Sequence, residues 1–291
     1  MSFRTATAAF ELIRPLRQET PLVFSSPHSG RAYAPEFLQR AQLDALEIRS
    51  SEDAFVDDLF ASVPGRGAPF LKANAPRAYL DLNRAADELD PALIEGLVRA
   101  PHNPRISSGL GVIPRVVAQG RPIYHGKITR AEADDRIARV WRPYHAALQG
   151  LMEETLQTFG EAVLIDCHSM PHEAIETQGR PGALPPEVVL GDRFGAAASR
   201  DVTDRLEMAF RRAGLRVARN APFAGAYIAQ AYGRPSRRQH VVQVEIDRAL
   251  YLDEARVAKR PDFAAFQQLI EGVLSEVIAA FRPGRTALAA E

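Results

Sequence analysis

Two short apolar runs that each end in a His-Ser pair are the clearest feature of the hydrophobic pattern. The run 162–165 passes into Asp-Cys-His-Ser, which contains His168, and the run 21–24 passes into Ser-Ser-Pro-His-Ser, which contains His28. Short apolar runs that are rich in β-branched residues and followed by Pro or Gly are typical of buried strands. In open α/β sheets, the residues that follow such strands meet at the carboxyl edge. We therefore expect the two histidines to lie at one edge of a sheet.

The rest of the pattern alternates between strands and helices. We predict further strands at 68–73, 77–82, 215–219 and 241–247. Helices are predicted at about 35–62, with an interruption around 49–53, and at about 129–159, 196–213 and 262–281. Residues 1–20 are predicted to be a lead-in, and 84–126, 171–195 and 220–240 to be loops. The helix at 129–159 begins with a capping box, and Pro143 predicts a kink in it. This alternation favours one α/β domain with a mixed, mostly parallel sheet.

Composition narrows the class of protein. The chain has 291 residues, and its 36 Lys and Arg residues balance its 36 Asp and Glu residues. Such a balance provides no overall field to attract nucleic acid or an anionic membrane. The single cysteine excludes an internal disulfide and a cysteine-based zinc cage. We find no signal-peptide pattern and no apolar run near the roughly 18 residues of a membrane span. We expect a cytoplasmic protein with no nucleic-acid or membrane partner, and the oligomeric state is left open.

Familiar catalytic motifs are missing, because the chain has no Gly-x-Ser-x-Gly, no Gly-x-Gly-x-x-Gly and no His-Glu-x-x-His. A scattered set remains: His28 and His168 after strands, Glu52 or Asp53 at a predicted helix start, and Glu245 in an apolar strand. Two imidazoles and a carboxylate can form a catalytic zinc site that leaves a fourth position open. A further carboxylate can then act as the base. Taken singly, the histidines and the acids at the helix start are more often structural, whereas burying Glu245 unpaired is costly.

Three arginines near Gly and Pro turns are candidates for binding an anionic substrate: Arg77, Arg84 and Arg115. Arg84 directly follows Asn83, just beyond the predicted strand 77–82. An Asn-Arg pair at such a position can offer an amide and a forked guanidinium to a carboxylate. For each arginine, a structural or solvated role is equally open at this point.

Several short motifs occur in an order that resembles the N-formylglutamate amidohydrolase family. They are Ser-Pro-His28-Ser-Gly, the acidic pair Asp53 and Asp57, Asp81-Leu-Asn83-Arg84, Trp141-Arg-Pro-Tyr-His145, Asp166-Cys-His168-Ser and Gln243-Val-Glu245. The resemblance covers roughly residues 20–255. The Asp-Leu-Asn-Arg motif is also similar to one in aspartoacylases and related zinc carboxypeptidase-like enzymes, in which the Asn and Arg hold the free carboxylate of the substrate.

This resemblance implies a phosphorylase/hydrolase-like fold, a three-layer α/β/α sandwich. We expect a single catalytic domain over 1–291, with a core at about 20–255 and a closing helix at about 262–281. The implied activity is zinc-dependent hydrolysis of N-formyl-L-glutamate to formate and L-glutamate, in histidine breakdown. The partner is thus a small N-acyl amino acid, and the cofactor is one Zn²⁺ or another divalent metal. Carried over residue by residue, the resemblance implies that the metal ligands are His28, Asp53 and His168 and that the general base is Glu245. It also implies that Asn83 and Arg84 form the carboxylate clamp. We expect Arg77 or Arg115 to contribute to this clamp.

Three positions depart from the family's pattern. Ala54 and Phe55 stand where many members carry Trp and His, and Ala231 stands where a His is frequent. Two alternatives therefore stay open. One is a divergent deacylase of the same fold that acts on another N-acyl amino acid. The other is a metal-free binding protein for small acidic ligands.

Overall fold

A mixed β-sheet runs through the centre of the protein in the computed structural model, which describes residues 2–7, 9–98, 103–176 and 184–283. Its strands are, in chain order, β1 (Ser2–Ala6), β2 (Phe10–Pro15), β3 (Leu22–Ser26), β4 (Phe70–Ala73), β5 (Ala162–Met170), β6 (Val188–Gly191), β7 (Val217–Arg219) and β8 (Gln239–Asp247). They pair in the order β1-β2-β4-β3-β5-β8-β6-β7. Two further strands, β9 (Leu252–Asp253) and β10 (Ala258–Lys259), pair separately with each other.

The four central strands β4, β3, β5 and β8 are parallel to one another. Antiparallel pairs flank them, between β1 and β2, β2 and β4, and β8 and β6. Every residue of β3, β5 and β8 is buried. Parallel strands covered on both faces have such burial, and this is why their sequences read as nearly continuous apolar runs. The carboxyl ends of the three strands meet at one edge.

Helices precede and follow these strands along the chain. They are α1 (Pro35–Arg40), α2 (Val56–Leu59), α3 (Pro104–Ser107), α4 (Arg130–Arg136), α5 (Arg142–Phe159), α6 (Glu173–Glu176), α7 (Arg200–Arg212), α8 (Tyr227–Tyr232) and α9 (Phe263–Phe281). Short 3₁₀ segments are Glu47–Ser51, Pro64–Arg66, Ala118–Gly120, Pro235–Arg237 and Arg248–Leu250, and a π-helical segment is Ile137–Trp141.

The helices pack on both faces of the sheet and so create three layers. Successive strand residues point to opposite faces. On one face of β5, Leu164 shares a core with Tyr144 and Leu148 of α5. On the other face, Val163 and Ile165 share a second core with residues of α2, α7 and α9. The predicted α/β/α architecture with a mixed sheet is therefore confirmed.

Helix α9 confirms the helix predicted at 262–281. By length and composition it would also suit a membrane span, although two glutamates interrupt it. Its apolar side chains instead pack in the second core, where α7 and α2 are its neighbours. The buried ones are Phe263, Ile270, Val273, Leu274, Val277, Ile278 and Phe281.

Two expectations for the N-terminal third were wrong. Residues 1–20 are not a lead-in, because β1 and β2 form one edge of the sheet. Residues 77–82 are not a strand, because the backbone N–H groups of Tyr79 and Leu80 both donate to the carbonyl of Pro76 in a turn. Every second residue of this stretch is apolar and buried in the first core. This alternation resembles that of a strand, although residues 77–82 pair with no strand in the described part of the chain.

The helix predictions differ in outcome. The helical stretch predicted at 35–62, with an interruption around 49–53, is divided into α1, a 3₁₀ segment and α2. The one predicted at 129–159 is confirmed in extent, and its π-helical segment ends at Trp141, two residues before Pro143. Because proline has no N–H to donate to the preceding turn, the helix widens at that place. The stretches 171–195 and 220–240, which were predicted as loops, contain β6 and α8.

Candidate metal centre and active-site pocket

His28 and His168 lie side by side because β3 and β5 are neighbouring parallel strands. The pairing aligns Ser25 with Asp166. His168 therefore stands near the end of β5, and His28 stands in the turn that follows β3. Their ring centroids are 4.8 Å apart, and both side chains are buried. The structure thus brings together the two histidines that the strand pattern pointed to.

Asp53 completes the cluster. Its backbone N–H donates to the carbonyl of His28 at 3.1 Å, which fixes the chain beside the turn. Its Oδ2 lies 2.9 Å from His168 Nδ1 and 3.4 Å from His28 Nδ1. One ligand atom from each of the three residues lies within 4.8 Å of the others. Among the described residues, the buried Nδ1 of His28 has no hydrogen-bond partner.

Glu52, the alternative ligand, is engaged elsewhere. Its carboxylate accepts hydrogen bonds from Tyr33 Oη at 2.7 Å and from Arg49 Nε and Nη2 at 3.0 and 3.1 Å. This bidentate pair satisfies both carboxylate oxygens. The geometry therefore favours Asp53 over Glu52 as the ligand.

A buried carboxylate stands behind each imidazole. His28 Nε2 lies 2.7 Å from Asp81 Oδ1, and His168 Nε2 lies 2.9 Å from Asp166 Oδ2. Ser25 Oγ donates to the other oxygen of Asp166 at 2.8 Å. A carboxylate in this position fixes the tautomer and ring orientation of a metal-binding histidine. Both Nδ1 atoms are thereby turned towards Asp53.

Charge in the cluster suits a cation. Burial raises the pKa of Asp53, but the hydrogen bond with His168 and the charges of both imidazoles outweigh it, so the pKa is well below its usual range. Burial lowers the pKa of His168, but Asp166 and Asp53 outweigh it and the pKa is well above its usual range. A divalent ion would take the place of the imidazole proton. The unpartnered Nδ1 of His28 and the His₂-carboxylate donor set both fit a zinc ion.

Glu245 lies beside this cluster. In the register of β5 and β8 it pairs with His168. Its Oε1 accepts a hydrogen bond from Gln243 Nε2 at 2.7 Å. Burial raises the pKa of Glu245 to about 7, although the charge of His168 acts in the opposite direction. A carboxylate with a pKa near neutrality suits proton transfer in both directions.

A pocket of about 640 Å³ opens over the cluster. His28, Asp53, His168 and Glu245 form part of its wall. Small and apolar residues of the segments 108–120 and 222–226 form much of the remainder. A pocket of this size can enclose a small organic substrate.

Asn83, Arg77 and Arg84 also line the pocket. Asn83 is held from both sides, since its Oδ1 accepts from the N–H of Ile228 at 2.8 Å and its Nδ2 donates to Gln243 Oε1 at 3.5 Å. Arg84 donates to the carbonyls of Leu110 and Asn83 at 3.0 and 2.9 Å. Arg77 donates through Nε to Asp81 Oδ2 at 3.0 Å, and its Nη1 and Nη2 have no acceptor among the described residues.

The structure does not bring Arg115 to the pocket. Its Nε donates to Asp90 Oδ2 at 2.9 Å, and its Nη2 donates to the carbonyl of Ser107 at 3.3 Å. Two other arginines, Arg105 of α3 and Arg248 after β8, line the pocket instead. The sequence held a signal for Arg248, because it directly follows a predicted buried strand. Arg105 lies in a stretch without periodicity, and we find no sequence signal for it.

Comparison with known proteins shows the family of this chain. The sequence model of the N-formylglutamate amidohydrolase family matches residues 20–252. The chain belongs to this family. It is 30% identical over 270 residues to N-formylglutamate deformylase of Pseudomonas aeruginosa. The aligned residues cover 90% of this chain and 94% of that enzyme. The N-formylglutamate deformylase of Pseudomonas putida is 29% identical over 272 residues, which cover 88% of this chain and 92% of that protein.

This protein also resembles a solved structure of the same family. The crystal structure of N-formylglutamate amidohydrolase from Ralstonia eutropha JMP134 superposes with a TM-score of 0.87 and 36% sequence identity. The match covers 94% of this chain and 99% of that one. The resemblance drawn from the ordered motifs is therefore confirmed at the level of family and fold.

The departures from the family's pattern lie outside the pocket wall. Ala54 is buried in the second core. Phe55 packs edge-on against Phe263, with ring centroids 6.4 Å apart, and the guanidinium of Arg31 lies 5.1 Å from the Phe55 ring centroid. Ala231 packs against the first core. None of the three departing residues belongs to the described lining of the pocket.

Proposed function

We propose that this protein hydrolyses the N-formyl amide of an acidic amino acid, with N-formyl-L-glutamate as the substrate and formate and L-glutamate as the products. The observation that carries the proposal is the placement of Glu245 beside the His28-Asp53-His168 cluster in one pocket. Membership of the family supports it, because both curated relatives are N-formylglutamate deformylases.

We propose zinc as the cofactor, held by His28, Asp53 and His168. When bound, the ion polarises the amide carbonyl and lowers the pKa of a water molecule. Glu245 accepts a proton from the attacking water and later donates it to the nitrogen of the departing glutamate. Its pKa of about 7 suits both steps near neutral pH. Asp81 and Asp166 keep the two imidazoles in place throughout.

The substrate clamp is proposed to consist of Asn83, Arg84, Arg77 and Arg105. N-formylglutamate carries two carboxylates, and each needs a cationic partner when it leaves water. Arg77, Arg84 and Arg105 line the same pocket and provide that positive charge. Arg105 takes the place that we expected for Arg115. Holding both carboxylates would orient the scissile amide towards Glu245.

The decisive experiment measures formate release from N-formyl-L-glutamate by the purified protein, together with its metal content. We expect about one zinc per chain, formate release, and loss of activity on chelation that zinc restores. A panel of N-formyl and N-acetyl amino acids, acidic and neutral, accompanies the assay. Preference for a different acyl group would favour the divergent deacylase. A protein that binds N-formylglutamate but contains and requires no metal, and that releases no formate, would favour the binding protein.

A further inference from the structure

Arg248 connects the two segments that carry two of the candidate metal ligands. It is the first residue after β8, and its side chain is only 6% exposed. Its Nη2 donates to Asp53 Oδ1 at 2.8 Å, and its Nε donates to Ser169 Oγ at 3.2 Å. Longer contacts join Nη1 to the carbonyl of Ser50 at 3.5 Å and Nη2 to the carbonyl of Ser169 at 3.4 Å. Ser169 directly follows His168 on β5.

These contacts divide the two oxygens of Asp53 between different partners. Oδ2 faces the Nδ1 atoms of His28 and His168, and Oδ1 faces the guanidinium of Arg248. A carboxylate without such a partner could rotate or present both oxygens to a cation. The planar guanidinium, with its donors in a fixed fork, holds one orientation.

We propose that Arg248 is a positioning residue that makes Asp53 a monodentate ligand and aligns it with His168. The proposal rests on the proposed function, because it assumes a metal ion in this cluster. Conserving the charge alone is not enough under this proposal. One ammonium group cannot occupy the positions of both Nε and Nη2, so a lysine would hold Asp53 without fixing it against β5.

The competing interpretation is that Arg248 binds a substrate carboxylate, since it also lines the pocket. Its hydrogen bonds argue against this role. All three of its nitrogens donate to protein acceptors, whereas Arg77 donates to one described acceptor through Nε alone. A substrate would have to displace Asp53 from Arg248 and leave a buried carboxylate without its partner, which is costly.

The test uses Arg248→Gln and Arg248→Lys in the full-length protein. The same two substitutions at Arg136 serve as controls, because Arg136 is equally buried and pairs with Glu132 away from the site. Zinc affinity is measured by competition with a chromophoric chelator, and the ligand geometry is read from the visible absorption of the Co²⁺-substituted protein. We expect Arg248→Gln to weaken zinc binding by about 10- to 100-fold. Both Arg248 variants should change the cobalt spectrum, and Arg248→Lys should lose less zinc affinity than Arg248→Gln. The Arg136 variants should change neither the zinc affinity nor the cobalt spectrum.

The proposal would be overturned in favour of substrate binding if Arg248→Gln kept the zinc affinity and the cobalt spectrum of wild type and showed a raised KM. If Arg248→Gln does not fold, Arg248→Lys decides, and an unchanged cobalt spectrum in that variant overturns the proposal. Wild-type protein that binds neither zinc nor cobalt would overturn the metal assignment and this inference with it. Metal binding without formate release would count against the proposed substrate alone.

Discussion

Glu245 and His168 are register partners on the neighbouring parallel strands β8 and β5. Side chains at paired positions of adjacent parallel strands point to the same face of the sheet. The candidate base and a candidate metal ligand are therefore held together by the backbone pairing of two strands whose residues are all buried. This arrangement makes their relative position insensitive to movement of the surrounding loops.

Replacement of the candidate base separates chemistry from metal binding. We expect Glu245→Gln to keep its fold and about one zinc per chain, because Glu245 is not among the three clustered donors. Loss of proton transfer should lower kcat by about 10²- to 10⁴-fold. Formate release and elemental analysis on the same sample measure the two effects. Activity close to that of wild type would remove Glu245 from the mechanism.

The substrate clamp can be tested with a pair of arginines. We expect Arg105→Ala to raise KM for N-formyl-L-glutamate by about tenfold or more, because a hydrogen bond to a charged group contributes about 1.5–3 kcal/mol. Arg115→Ala is the matched control, since Arg115 pairs with Asp90 outside the pocket wall. Its KM should stay at the wild-type value. The reverse result would restore Arg115 to the clamp and exclude Arg105.

The carboxylate behind His28 should control metal affinity. In Asp81→Asn the hydrogen bond to His28 Nε2 loses its negative charge, and the pair with Arg77 is also lost. We expect zinc to bind about 10- to 100-fold more weakly. Asp90→Asn is a suitable control, because Asp90 is also a buried aspartate paired with an arginine. Equal zinc affinities in both variants would show that Asp81 does not act through His28.

His145 makes the stability of the protein depend on pH. Its ring nitrogens lie 2.9 Å from Tyr232 Oη and 2.9 Å from the carbonyl of Leu82, and burial lowers its pKa to about 4. The unfolded chain, with an ordinary pKa of about 6.5, therefore binds this proton more readily. The stabilisation that comes from keeping the ring neutral is complete above about pH 6.5 and is lost as the pH falls towards about 4.

We test this with His145→Gln, which cannot titrate. Urea unfolding between about pH 7.5 and about pH 4.5 should show the free-energy advantage of wild type over the variant decreasing by about 2–3 kcal/mol, at about 1.36 kcal/mol per pKa unit. A constant difference over this range would mean that His145 titrates alike in the folded and unfolded chains.

Local pattern was sufficient for several parts of the site. The apolar runs at β3, β5 and β8 identified buried strands. The polar residues His28, His168 and Glu245 lie at or just beyond the carboxyl ends of these strands, where α/β sheets carry their functional residues. This worked because burial on both faces makes such strands apolar throughout, so a polar residue near the end is conspicuous. The helix at 129–159 was equally clear, because the helical spacing of its apolar residues and its N-terminal capping box can both be read from neighbouring residues in the sequence.

Other features depended on contacts between distant residues. The alternation in 77–82 predicted a strand, but the chain turns there and packs on the first core. No local pattern distinguishes Asp53 from Glu52, because the difference lies in Tyr33 and Arg49, which hold Glu52 away from the cluster.

The sequence by itself determined the α/β class, the buried strands and the types of residue at their carboxyl ends, because these follow from periodicity and burial. Only the tertiary structure decided which arginines face the pocket. Arg115 turns to Asp90, and Arg248 reaches across from β8 to Asp53. The direction of a long side chain is set by the nearest buried acceptor in space, and that acceptor can be almost 200 residues away in the chain.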